Sequence, residues 1–153
     1  KEADQALLAA EAGEEKEKDP GFLKGRRIML VEDNELNREI AYELLSESGL
    51  IVDVAENGQE AIKLLGIRPE NYYELIFMDI QMPVMNGYEA TANIRAGESD
   101  YWKTIPVIAM TANVFQEDES RAAECGMSDY VTKPIDMNVI YSVLEKWLRG
   151  QKG

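Results

Sequence analysis

From Arg26 onward the chain alternates short apolar runs with stretches of helical spacing, and this alternation narrows the possible folds more than any other feature. Ile28-Met29-Leu30-Val31, Leu75-Ile76-Phe77-Met78 and Val107-Ile108-Ala109-Met110 are continuous apolar runs, the pattern of strands covered on both faces. Ile51-Val52-Asp53-Val54 alternates instead, which predicts a strand wet on one side and therefore at a sheet edge. Tyr130-Val131 lies in a fifth strand. Between the strands the spacing predicts a helix over Glu35–Ser48, with Leu36, Ile40, Leu44 and Leu45 on one face and Gly49 as its stop. A second helix opens at Asn57-Gly58 and ends near Gly66, and a third spans about Gly87 to Ala96. A fourth runs from about Val114 to Glu124, before Cys125-Gly126, and the last covers about Met137 to Leu148 with Ile140, Val143, Leu144 and Trp147 inward. Five strands alternating with five helices predict an α/β fold with an open, mostly parallel, doubly wound sheet. Right-handed crossovers then place helices on both faces.

Residues 1–25 differ in composition. KEADQALLAAEAGEEKEKDPGFLKG reads as a charged linker or extension, partly helical or disordered, before a domain over 26–150. This segment carries 4 cationic and 7 acidic residues, leaving 12 and 22 for the remainder, so the acidity belongs to the domain itself. At a net charge of -13 the chain repels a phosphate backbone or an anionic bilayer, which argues against nucleic acid as a partner and against direct membrane contact by this segment. The single cysteine, Cys125, excludes an internal disulfide and fits a reducing, cytoplasmic compartment. The absence of histidine excludes a His-based metal site or general base. No run approaches the roughly 18 apolar residues of a membrane span, and no secretory signal is visible. The first residue, Lys1, is not Met, which fits an excerpt of a longer chain, and any anchor would then lie elsewhere in the parent.

In a doubly wound sheet, ligands sit beyond the carboxyl ends of the strands. Strand one ends in Glu32-Asp33, strand three in Asp79, strand four in Thr111 and strand five in Lys133. Three carboxylates crowded together need protons or a cation to relieve their repulsion. An all-oxygen site selects a hard cation, Mg²⁺ first. Two carboxylates, a backbone carbonyl and waters leave a coordination place for a phosphoryl oxygen, while Lys133 and the Thr111 hydroxyl can serve the other two. Asp79, at the end of a rigid strand, is the natural nucleophile. Taken singly these residues have innocent readings: an acidic pair caps a helix, an Asp or Thr caps a turn, a lysine is solvated.

The runs VEDNELNRE, MDIQMPVMNG, MTAN and DYVTKP resemble the signature blocks of response-regulator receiver domains, most closely those of hybrid sensor histidine kinases. The resemblance covers about Arg26 to Arg149 and implies a flavodoxin-like (βα)5 fold with strand order 2-1-3-4-5. It further implies that Asp79 is phosphorylated from a phosphohistidine, and that Asp33 binds Mg²⁺ directly while Glu32 acts mainly through water. The Gln81 backbone carbonyl would be the third protein ligand. Thr111 and Lys133 would bind the phosphoryl group, Thr111 and Tyr130 would form the switch, and the Lys133-Pro134 peptide would be cis. Leu36 is open between a core position and a docking patch. The expected partners are a sensor histidine kinase domain, in cis or in trans, and a histidine phosphotransfer protein. The chain ends just after the last helix, which leaves a C-terminal receiver of a hybrid kinase or a stand-alone single-domain regulator, and the hybrid-like blocks with the linker-like start favour the first.

Other classes fit less well. A flavodoxin-like cofactor binder wants a Gly-rich phosphate loop where VEDNELN places acid. A small-molecule phosphatase with an aspartyl nucleophile wants an acid two residues on, where Gln81 stands. A pure interaction module has no need of every site residue. Tyr101 and Trp102 are expected in a polar loop, packed locally, and Cys125 at a helix end.

Overall fold

The computed structural model describes residues 20–82, 84–112 and 119–148. Residues 1–19 of the linker expected over 1–25, Pro83, Asn113, the helix start at Val114 and the end of the domain beyond Leu148 lie outside the described residues. The elements, in order, are α1 (Pro20–Leu23), β1 (Arg27–Val31), α2 (Glu35–Glu47), β2 (Ile51–Ala55), α3 (Gly58–Ile67), β3 (Leu75–Asp79), α4 (Gly87–Arg95), α5 (Asp100–Thr104), β4 (Val107–Thr111), α6 (Glu119–Cys125), β5 (Asp129–Thr132) and α7 (Met137–Leu148). The strands form one parallel sheet in the order β2-β1-β3-β4-β5.

Each apolar run feeds two cores, because successive side chains point to opposite faces. Ile28, Leu30, Leu75, Phe77, Ile108 and Met110 pack on one face with Ala41 and Leu45 of α2 and Ile140 and Leu144 of α7. Met29, Val31, Ile76, Met78 and Val107 pack on the other with Leu65 of α3, Ile94 of α4 and Tyr101 of α5. Every residue of β3 and β4 is buried, and β2 takes the edge position expected of it, although its burial does not alternate: Ile51 and Val54, on opposite faces, are both exposed.

Three local features depart from the sequence expectation. In α2 the inward residues are Ala41 and Leu45, while Leu36 and Ile40 are 65% and 51% exposed. An exact four-residue spacing drifts off a 3.6-residue helix, so its first members turn away from the face that packs on β1 and β2. Tyr101 and Trp102 belong to α5 rather than to a loop; Ser99 caps it, accepting from the Trp102 amide. The Tyr101 hydroxyl accepts from the Tyr73 amide at 2.8 Å and donates to the Tyr73 carbonyl at 2.9 Å, which fixes the helix to the entry of β3. Finally, the packed body already includes α1, where Pro20 sits at the first helical position and Phe22 and Leu23 are buried in the first core. In α7 Tyr141 and Leu148 join the expected inward set, and Trp147 is half-buried against it, its Nε1 donating to Asp129 at 3.0 Å.

Candidate functional site

The carboxyl ends of β1, β3, β4 and β5 open into a cleft of about 200 Å³, lined among others by Glu32, Asp33, Asp79, Gln81, Thr111 and Lys133. Parallel pairing is what gathers them: β1 and β4 each lie directly beside β3, so chain segments far apart in sequence end side by side. The turn after β1 is held by the Glu32 amide donating to the Ala55 carbonyl at 3.1 Å. Asn34 then caps α2, its side chain accepting from the Asn37 amide, while its own amide donates to Glu32 Oε2 at 3.2 Å. At the far side the Lys133 amide donates to the Thr111 carbonyl at 2.8 Å, which ties the end of β5 to the end of β4. The Lys133-Pro134 peptide is cis.

Glu32, Asp79 and Thr111 are each only 3% exposed. One carboxylate oxygen from each of Glu32, Asp33 and Asp79 lies within 4.8 Å of the others, with Asp33 the most exposed of the three. Lys133 Nζ bridges two of them, 3.0 Å from Glu32 Oε1 and 3.1 Å from Asp79 Oδ1. The Gln81 amide donates to the same Asp79 oxygen at 3.3 Å. Burial, and then the negative charge of Glu32, push the Asp79 carboxyl up to about 7 against the pull of Lys133. Burial works against the Lys133 ammonium, but Asp79 and Glu32 outweigh it and hold its pKa above the ordinary lysine value. A buried carboxylate that one lysine cannot fully neutralise is the electrostatic demand a divalent cation answers, and the all-oxygen donor set fits Mg²⁺.

The remaining sequence-predicted residues flank this cleft without entering it. Leu36 lies exposed on the first turn of α2, so it is not a core residue. Tyr130 is 46% exposed on β5, paired with Ala109 one strand over. Arg38 carries no chemistry of its own and the motif reading does not single it out. Its Nη1 nonetheless donates to the Glu32 carbonyl at 3.0 Å and to the Asp33 carbonyl at 3.4 Å. The available signal was a cation on a first helical turn, where the helix dipole disfavours one.

A five-stranded doubly wound domain with three carboxylates, a threonine and a lysine at its carboxyl edge gathers the kinds of group that phosphoryl transfer requires. The chain belongs to the response regulator receiver domain family, whose profile matches residues 28–145, and it is a receiver domain of two-component phosphorelay signalling. It is 35% identical over 143 residues, 93% of its length, to the hybrid signal transduction histidine kinase L of Dictyostelium discoideum. The chain spans 8–14% of the length of the curated relatives it matches first. Among solved structures it is similar to the receiver domain of the sensor histidine kinase PA1611 from Pseudomonas aeruginosa PAO1. That structure, which has a magnesium ion coordinated in its active-site cleft, matches with a TM-score of 0.72 and 34% identity, over 80% of this chain and 97% of that one. It is also similar to the receiver domain of the response regulator Ssk1 of Saccharomyces cerevisiae, solved with the histidine phosphotransfer protein Ypd1. There the TM-score is 0.72 and the identity 31%, over 84% of this chain and 92% of that one. No helix among the described residues is long and apolar enough to cross a membrane.

Proposed function

We propose that this receiver domain takes a phosphoryl group from a phosphohistidine onto the Asp79 carboxylate and hands it on to a histidine phosphotransfer protein. The observation that carries the reading is the convergence of Asp79, Glu32, Asp33 and Lys133 on one cleft, with Lys133 within 3.1 Å of the acceptor carboxylate. Asp79 attacks phosphorus as its O–P bond forms; the donor's N–P bond breaks, and the imidazole leaves with a proton from solvent. Lys133 faces the acceptor and stabilises the charge that develops on the transferring oxygens, and the Thr111 hydroxyl, buried at the adjacent strand end, serves a further oxygen. Glu32, Asp33, Asp79 and the Gln81 backbone carbonyl are the groups that would hold Mg²⁺, which when bound supplies charge neutralisation beyond what Lys133 provides. Catalysis is confined to the domain's own phosphorylation and dephosphorylation, so it is a phosphoacceptor rather than a turnover enzyme.

The signal leaves by two routes. Thr111 drawn toward the phosphoryl group makes room for Tyr130, exposed on the neighbouring strand, to turn inward and remodel the β4–β5 surface. Leu36 and the segment at Pro134, on either side of the cleft, form the docking surface for the phosphotransfer partner. The donor is a sensor histidine kinase domain, in cis if the chain is part of a hybrid kinase. The test is incubation with acetyl phosphate and Mg²⁺, read by intact mass. The wild-type chain gains the mass of one phosphoryl group, Asp79→Asn gains none, and excess chelator suppresses the gain. Undiminished labelling of Asp79→Asn removes the assignment.

A further inference from the structure

Arg38 stands on the first turn of α2, four residues past the Asn34 cap. A cation there works against the positive end of the helix macrodipole. Its side chain is only 15% exposed, so folding has also taken most of a long charged group out of water. Two unfavourable terms at one position call for a compensating contact, and the guanidinium makes it on backbone. Nη1 donates to the Glu32 carbonyl at 3.0 Å and reaches the Asp33 carbonyl at 3.4 Å. Nη2 also forms a loose ion pair with Glu56 Oε2 at 3.7 Å, but that carboxylate is 61% exposed and the pair is worth little in water, so the Glu32 carbonyl at 3.0 Å is the closest hold on the guanidinium. From the opposite side the Glu32 amide donates to Ala55 at the end of β2. The backbone of the acidic pair is therefore gripped on both sides.

We infer that Arg38 is a positioning residue for the divalent-cation site. By clamping two successive carbonyls it sets the direction in which the Glu32 and Asp33 carboxylates leave the backbone, and with it their approach to Asp79. The inference rests on the reading of Glu32, Asp33 and Asp79 as the Mg²⁺ site. Charge alone predicts the opposite sign: a guanidinium beside the site repels a cation, and its removal would tighten binding. Geometry adds a second signature. Mg²⁺ demands near-octahedral coordination, whereas Ca²⁺ accepts looser and more variable shells, so losing the clamp weakens Mg²⁺ binding more than Ca²⁺ binding.

The experiment is calorimetric titration of the full chain with Mg²⁺ and, separately, Ca²⁺, for the wild type, Arg38→Met and Arg38→Lys, each checked for its fold by circular dichroism. Arg38→Met is expected to bind Mg²⁺ on the order of tenfold more weakly, the scale on which groups that orient metal ligands act. Its loss of Ca²⁺ affinity is expected to be smaller. Arg38→Lys keeps the charge but not the reach and fixed N–H directions of the guanidinium nitrogen, and falls between the two. Tighter Mg²⁺ binding by Arg38→Met overturns the inference in favour of electrostatics. Equal losses for both cations, or lowered stability with unchanged affinity, overturn it in favour of a general structural role. If Arg38→Met does not fold, Arg38→Lys decides: several-fold weaker Mg²⁺ binding supports the clamp, on the same scale, and unchanged affinity refutes it. A wild-type chain that binds no Mg²⁺ refutes the metal reading of the site and the inference with it.

Discussion

Gly87 shows how a residue without a side chain can decide where a reactive one stands. It opens α4 just past the site loop, and its amide donates to the Ile80 carbonyl at 2.8 Å. A Cβ there would run into the Asp79 carbonyl oxygen and come within 2.8 Å of Ile80 Cα, backbone that cannot swing aside. Gly87→Ala must therefore lever α4 away from the end of β3. The expected cost is about 1–3 kcal/mol of stability by urea denaturation, with slower labelling by acetyl phosphate because Asp79 moves. Unchanged stability and labelling would show that the helix yields without disturbing the strand. Asp79 and Lys133 were legible in the sequence because each stands at the end of an expected strand, and the topology turns that shared position into proximity. The side-chain geometry between them was not legible: that Lys133 spans Glu32 and Asp79 rather than reaching into water depends on the turn after β5.

At the scale of elements, α2 separates what periodicity can and cannot tell. The apolar residues Leu36, Ile40, Leu44 and Leu45 located the helix, and Gly49 at φ +104° ends it. They did not give its rotation, because a stripe with exact four-residue steps winds around the helix, and Ala41, too small to stand out, takes an inward place. Leu36 is left on the rim of the cleft, 65% exposed. Leu36→Asp adds an anion to an N-terminal turn, which the helix dipole favours, so the fold should be unharmed. Phosphotransfer to a histidine phosphotransfer protein is expected to slow by about tenfold or more, as when the apolar centre of an interface is lost. Labelling by acetyl phosphate, a donor that needs no docking surface, should stay nearly unchanged. Equal slowing of both rates would place the effect in the cleft rather than on a docking surface. The helix the sequence reading missed, α5, and the one it left unplaced within a segment read as partly helical, α1, are five and four residues long, too short to display a period. What holds them is tertiary: Phe22 and Leu23 in the core, and the Tyr101 hydroxyl on the Tyr73 backbone.

For the molecule as a whole, the site is a stability cost carried by the sheet. Asp79 titrates at about 7 in the fold against 3.8 as an ordinary carboxyl, burial being the larger cause and Glu32 the next. A raised carboxyl pKa means that the native state holds a proton which the unfolded chain has already released. Between about pH 4 and pH 7 the native state thus binds more protons, and stability falls as pH rises through that window. Three pKa units correspond to about 4 kcal/mol at most; water reaching the open cleft screens this, and about 1–3 kcal/mol is the better expectation. Lys133 does not mask the effect. Its raised pKa contributes stability that is full below 10.5, lost only as pH rises through its folded value, well above the window. The many exposed carboxylates add a pH dependence of their own, so the comparison must be between the wild type and Asp79→Asn, whose neutral amide cannot titrate. In chelator, urea denaturation at pH 5 and pH 8 should show Asp79→Asn gaining stability over the wild type as pH rises. Mg²⁺ held as proposed in the cleft would favour the ionised carboxylate, so it should stabilise the wild type more at pH 8 than at pH 5. It should leave Asp79→Asn, which lacks that anionic ligand, much less affected. If the difference between the two proteins is the same at both pH values, Asp79 is ionised in the fold without strain, and the acid cluster needs no cation to relieve it.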